Sequence, residues 1–262
     1  MQDPKPIIRL EKVSKSFGTL QVLKEVSLTV YTGQTTVVIG PSGCGKSVLL
    51  KHMIALIRPD SGKIFFDNIE ITALSERKLM ALRKRMGFLF QGSALFDSMT
   101  VRQNICFPLE EHNVGTSEQR LHRCREVLGL VGLEGLMDRY PEQLSGGQKK
   151  RVALARALAL GPEVIFYDEP TTGLDPIRAD LINEMILHLN ARLHTTSVVV
   201  THDMASARKI ADRILMLHEG NFLIDTTPDR LDQAGDPVVR RFVLGQASDE
   251  ELREFRSSSG QE

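Results

Sequence analysis

Gly40-Pro41-Ser42-Gly43-Cys44-Gly45-Lys46-Ser47 is a glycine, four free positions and then Gly-Lys-Ser, the pattern of a loop that cradles phosphate. Such a loop turns its backbone N–H groups inward around an anion, so glycine is needed wherever a side chain would block close approach. Thr35 to Ile39 reads as the strand that delivers the chain to the loop. Val48 to Ile54 continues it as a helix, whose N-terminus favours negative charge. Lys46 offers a point charge to the β- and γ-phosphates and Ser47 a hydroxyl to Mg²⁺. Strand before and helix after set the stretch apart from an ordinary glycine-rich turn, and a nucleotide site is the expectation.

With 262 residues, 42% of them apolar, the chain is long enough for a sizeable core and sits where one domain begins to divide into lobes. Its 33 basic residues balance 33 acidic ones, so no overall field favours nucleic acid or anionic lipid. No nucleic-acid partner is expected. Cys44, Cys106 and Cys124 lack metal or redox spacing, which suits a reducing compartment and a packing role. Met1 to Arg9 carries two prolines and charges where a signal peptide needs an apolar run, and no spanning stretch of about 18 apolar residues occurs. A cytoplasmic protein is expected, peripheral to any membrane it serves, with other chains crossing that membrane.

Along the chain, Ile7 to Ser16 and Val22 to Val30 alternate as antiparallel strands around Phe17-Gly18-Thr19. Lys63 to Asn68 and Met86 to Phe90 read as strands, and Leu74 to Arg85 as a helix. Gln91 to Glu111 reads as irregular. Ser117 to Val131 carries Leu121, Cys124, Leu128 and Val131 at helical spacing, and Gly147 to Leu160 is an alanine-rich helix preceded by Leu144-Ser145-Gly146, with free N–H groups expected at its start. Val164 to Tyr167 is the short apolar run of a buried parallel strand, and it ends in Asp168-Glu169. Carboxylates there lie where such sheets bind ligands. An amphipathic helix over Asp180 to Leu193, a strand over Thr196 to Thr201 ending in His202, and a hairpin around Glu219-Gly220 follow. The tail from Gln246 to Glu262 is polar.

Lys46-Ser47, Gln91, Leu144-Ser145-Gly146-Gly147-Gln148, Asp168-Glu169, Gly173-Leu174-Asp175 and His202 occur in an order that resembles the nucleotide-binding subunit of an ATP-binding cassette (ABC) transporter, from about Ile7 to Leu231. The resemblance implies an α/β fold: a P-loop NTPase (RecA-like) core with an antiparallel β-subdomain, over about 1–90 and 160–245. An inserted ABC α-helical subdomain would occupy about 91–159, the whole forming one domain over 1–245.

The chemistry of the residues and the resemblance assign roles together. Gly40, Pro41, Ser42, Gly43, Cys44, Gly45, Lys46, Ser47 and Val48 would hold ATP. Ser47 and Asp168 supply hard oxygen ligands for Mg²⁺, and Glu169 beside them can polarise the attacking water as general base. The resemblance implies that His202 contacts the γ-phosphate and that Gln91 helps position metal and water. It also implies that Phe17 stacks on adenine, as an aromatic face suits a flat base; the other reading of Phe17 is core filling. Ser145, Gly146, Gly147 and Gln148 would close on ATP held by a second copy in a head-to-tail dimer, with Asp175 in the loop that meets that copy.

Gly92 to Val101, Asn104, Pro108 to Glu111 and Asp236 to Phe242 resemble the ATPases of lipid-asymmetry, mammalian-cell-entry (MCE) associated transporters. That resemblance implies ATP-driven phospholipid transport through a permease pair, with an MCE-type lipid-binding protein in the complex, on the cytoplasmic side of the inner membrane. The alternatives are the ATPase of a small-solute importer and a soluble assembly-type cassette ATPase.

Overall fold

The computed structural model describes residues 5–247 together with Arg253. The chain opens with β1 (Pro6–Phe17) and β2 (Leu20–Tyr31), paired antiparallel across a tight turn. β3 (Thr35–Ile39) leads through the glycine-rich loop into α1 (Lys46–Met53). β4 (Ser61–Phe66) and the short β5 (Ile69–Glu70) form a second hairpin. Its turn is Asp67-Asn68, which the sequence reading placed inside a strand; both residues have positive φ, 48° and 63°, a conformation that Asp and Asn tolerate and that suits the twist of paired strands. α2 (Glu76–Arg83) and β6 (Met86–Leu89) follow.

The segment expected to be irregular contains α3 (Val101–Glu111). Thr100 caps it: the Thr100 hydroxyl accepts from the Gln103 N–H at 3.3 Å, and Gln103 returns the bond to the Thr100 N–H at 2.8 Å, a capping box. Pro108 lies inside this helix. Proline removes an interior hydrogen bond, which is why the sequence reads as irregular there; burial of Val101, Ile105 and Leu109 outweighs that loss.

α4 (Ser117–Leu130) and α5 (Gly146–Leu158) come next, and α3 and α4 both pack on α5. The remainder is β7 (Val164–Asp168), α6 (Pro176–Leu193), β8 (Thr196–Thr201), α7 (Met204–Ile210), β9 (Arg213–His218), β10 (Asn221–Thr226) and α8 (Pro237–Leu244). α7 has no counterpart in the sequence reading; Asp203 caps it by accepting from the Ala205 N–H at 3.0 Å. Beyond Ala247, the expected polar tail lies outside the described residues apart from Arg253.

Two sheets result, one ordered β2-β1-β4-β5 and one ordered β10-β9-β3-β8-β7-β6. In the second, β9, β3, β8, β7 and β6 run parallel, and β10 closes one edge antiparallel. Every residue of β3, β7 and β8 is buried, as expected when both faces of a parallel sheet are covered. Alternation along these strands divides the core. Val37, Ile39, Ile165, Tyr167 and Val199 join the cluster built by α3 to α7, whereas Val38, Val164, Phe166, Val198 and Val200 join α1 and the antiparallel sheet. Parallel alignment sets the carboxyl ends of β3, β7 and β8 along one edge, and ligands of open α/β sheets bind at that edge.

Cys106 and Cys124 are buried and Cys44 half-buried, all three unbridged. No helix among the described residues is long and apolar enough to cross a membrane.

Candidate nucleotide site

The loop after β3 is shaped by two glycines. Gly40 has φ +152°, and a Cβ there would overlap the Leu217 carbonyl oxygen. Gly45 has φ +105°, and a Cβ there would lie 2.7 Å from Val22 Cγ1. Gly45 is also the N-cap of α1 and offers no side-chain cap, so the first N–H groups of the helix are left as donors for an anion.

Lys46 is the first residue of α1 and is 5% exposed. Its Nζ donates to the carbonyl oxygens of Gly40 at 2.8 Å and Pro41 at 2.9 Å and lies 3.6 Å from Glu169 Oε1. The ammonium is therefore held over the loop's own backbone. One position on, Ser47 Oγ donates to Asp168 Oδ1 at 2.7 Å, joining the helix to the end of β7. Burial raises the Asp168 pKa above the usual carboxylate range, opposed by the Ser47 hydrogen bond and by the Lys51 charge.

Glu169 follows β7 and is buried in a left-handed conformation, φ +50°, which costs a non-glycine residue about 1–2 kcal/mol. Its N–H donates to the Val200 oxygen at 3.0 Å. Its Oε2 accepts from Thr172 Oγ1 at 3.1 Å and lies 2.9 Å from His202 Nδ1. Sequence reasoning missed Thr172; the available signal was a hydroxyl three residues after a strand-end carboxylate, in reach of its side chain.

Gln91 is exposed and follows β6, whose Leu89 pairs with Tyr167. The register places Gln91 at the same sheet edge as Asp168 and Glu169, with no hydrogen bond to either among the described residues. Phe17 ends β1 and is 48% exposed, with Lys15 Nζ 5.5 Å from its ring centroid. It is not core filler.

Among the described residues, no hydrogen bond or ion pair joins Ser145 to Gln148 to the phosphate loop. Ser145 caps α5 by accepting from the Gln148 N–H at 3.3 Å, and Gln148 Oε1 accepts from the Ser145 N–H at 2.9 Å. The helix start is thus less open than expected: the capping box satisfies two donors, leaving the N–H groups of Gly146 and Gly147. Beside it, Gly147 faces Leu174 and Arg178, and Asp175 caps α6 through the Arg178 N–H at 2.9 Å. At its other end, α5 places Arg156, whose guanidinium donates to the carbonyl oxygens of Ala94 at 2.7 Å and Ser93 at 3.0 Å.

These residues fit a magnesium nucleotide. The loop offers a cradle that side chains would fill, and Ser47 with Asp168 offers one hydroxyl and one carboxylate. Mg²⁺ is usually held by one or two carboxylates and by substrate phosphates, and no cluster of three or more His, Cys, Asp or Glu suited to a metal occurs among the described residues.

A family model described as "ABC transporter" matches residues 23–172, and the chain belongs to that family; it carries the ATP-binding cassette. A probable ribonucleotide transport ATP-binding protein, mkl, of Mycobacterium tuberculosis is 40% identical over 238 residues, which is 91% of this chain and 66% of that protein. The sulfate/thiosulfate import ATP-binding protein CysA of Synechococcus elongatus is 44% identical over 90% of this chain and 67% of its own length. The chain spans about two thirds of the length of these curated relatives. Among solved structures, the dimeric ATP-binding cassette MJ0796 bound to ADP and Pi is 35% identical, with a TM-score of 0.79 over 85% of this chain and 99% of its own. The expected fold class agrees with these relatives.

Proposed function

We propose that the chain is the ATP-hydrolysing subunit of an ABC transporter, acting as a head-to-tail dimer that drives a partner permease. The observation that carries this reading is one sheet edge bearing both the Ser47–Asp168 hydrogen bond and the Glu169–His202 pair. Lys46 is placed to neutralise phosphate charge, and the N–H groups at the start of α1 orient the anion. Glu169, aimed by Thr172 and His202, takes a proton from water in line with the γ-phosphorus. Mg²⁺, when bound by Ser47 and Asp168 with Gln91 nearby, supplies charge neutralisation at the phosphates. Phe17 supports the base, and His202 is shared between Glu169 and the γ-phosphate. Gly146 and Gly147 keep donors free at the α5 start, which supports closure of Ser145 to Gln148 on the nucleotide of a second copy. Residues 91–159 act as the helical subdomain that moves with that closure.

The small-solute importer is the better supported cargo class, because the relatives' names refer to ribonucleotide transport and to sulfate and thiosulfate import. Phospholipid transport with an MCE-type partner rests on the resemblance of Gly92 to Val101, Asn104, Pro108 to Glu111 and Asp236 to Phe242, and the segment from Gly92 to Asn104 carries most of it. That segment has a structural use: Asn104 is buried and bonds the Phe96 N–H and oxygen and the Met99 and Thr100 oxygens. Such a loop holds itself together whatever the cargo.

The test of the ATPase reading is Mg²⁺-dependent phosphate release from ATP by the purified chain; release undiminished in a Ser47→Ala, Asp168→Ala double variant overturns it. For cargo, the intact complex is purified with its permease and extracted for bound lipid. Absence of stoichiometric phospholipid is the expected result, and its presence restores the lipid reading.

A further inference from the structure

Lys150 lies in the second turn of α5 with its side chain directed inward. It is 6% exposed, and lysine is rarely buried so fully unless paired. Among the described residues its ammonium makes one hydrogen bond: Nζ donates to the main-chain oxygen of Glu169 at 3.2 Å. Burial pulls the Lys150 pKa below the ordinary lysine range, while the Glu169 charge pulls it back up. A single carbonyl is poor compensation for a desolvated cation, and an apolar side chain of similar volume would fill the space at lower cost to stability.

The bonded carbonyl belongs to the residue with the least comfortable backbone at the site. Glu169 sits at φ +50°, and a conformation of this kind persists only where its surroundings hold it. Three bonds do so. The Val200 oxygen accepts from the Glu169 N–H at 3.0 Å, and the Glu169 oxygen accepts from the Thr172 N–H at 3.3 Å and from Lys150 Nζ. The first anchor is on the central sheet, the second in the turn that follows Glu169, and the charged third on the helix that Ser145 caps. With the peptide fixed at both ends, the carboxylate is aimed at Thr172 and His202.

We propose that Lys150 is a positioning residue for hydrolysis: by clamping the Glu169 carbonyl it holds the backbone conformation that aims the carboxylate, and it ties the position of α5 to the competence of the base. This rests on the reading of Glu169 as general base.

The experiment compares Lys150→Met and Lys150→Gln in the full chain, each alone and combined with Glu169→Gln, reading kcat, KM for ATP and thermal midpoint. Methionine keeps the volume and removes the donor; glutamine keeps a donor without the charge. Lys150→Met is expected to lower kcat about tenfold or more, since small misplacements of a catalytic group are costly, with KM for ATP held within about twofold and the thermal midpoint not lowered. Lys150→Gln is expected to recover most of the rate. In the Glu169→Gln background, Lys150→Met is expected to change residual turnover less than about twofold, because groups acting through one another are not additive. Unchanged kcat in Lys150→Met, a loss that glutamine does not recover, or full multiplication of the two losses overturns the proposal alone. Full turnover by Glu169→Gln removes the base reading and this proposal with it.

Discussion

His202 Nδ1 lies 2.9 Å from Glu169 Oε2, although the two side chains come from the ends of neighbouring strands and differ in exposure, 49% for the histidine and 9% for the glutamate. The carboxylate is thus reached on one oxygen by Thr172 and His202, while the other faces Lys46 at 3.6 Å. Its direction is fixed before any substrate arrives. Replacing the acid by its amide keeps the shape and removes the basic oxygen. Glu169→Gln is expected to lower turnover by about 10²- to 10⁴-fold, the usual worth of a general base, while ATP still binds and the closed dimer accumulates. Phosphate release alongside gel filtration in ATP checks this, and turnover at the wild-type rate counts against the assignment.

Among the described residues no hydrogen bond or ion pair joins Ser145 to Gln148 to the phosphate loop, so activity is expected to need two chains. Specific activity should rise with protein concentration and reach a plateau as dimers form; the same value at every concentration rules out shared sites.

Asp168 carries a cost in the free protein. The unfolded chain ionises this acid in the ordinary range, whereas burial delays ionisation in the folded chain to higher pH. Between those two values the folded state holds more proton, so stability falls as pH rises through the window and stays lowered at neutral pH. Asp168→Asn is therefore expected to raise the melting temperature at pH 7.5 without nucleotide, by about 2–4 °C for each kcal/mol relieved, and to lose that advantage near pH 3, where both side chains are neutral. Melting curves at the two pH values distinguish this from a general packing effect, which would persist in acid.

Gly40→Ala places a methyl group against the Leu217 carbonyl, and backbone cannot swing aside as a side chain can. A loss of about 1–3 kcal/mol is expected from such overpacking. Gly33 has φ +75° with open space around it, so Gly33→Ala should cost only the strain, about 1–2 kcal/mol. Denaturant midpoints of the two variants separate overlap from strain.

The glycine loop was legible because sterics dictate residue type there: Gly40 and Gly45 admit no other side chain. β3, β7 and β8 were legible as unbroken apolar runs. α3 was not, because Pro108 argues against a helix locally while burial of Val101, Ile105 and Leu109 decides for one at a distance. β5 is too short to show a period. Glu169 in a left-handed conformation had no signal at all, since the positions that usually adopt it are glycine, and this one is set by its bond to the Val200 oxygen and by bonds from Thr172 and Lys150. Lys150 itself had a faint one: it falls three and four residues before Ala153 and Leu154, on the face of α5 that goes into the core.

α5 touches the Glu169 carbonyl through Lys150 near its start and the Ser93 and Ala94 carbonyls through Arg156 near its end. Its 13 residues make a rod about 20 Å long. Over that length a helix neither stretches nor folds, so events at its two ends keep a common clock: a chain jammed at Ser93 is expected to pause at Glu169 as well.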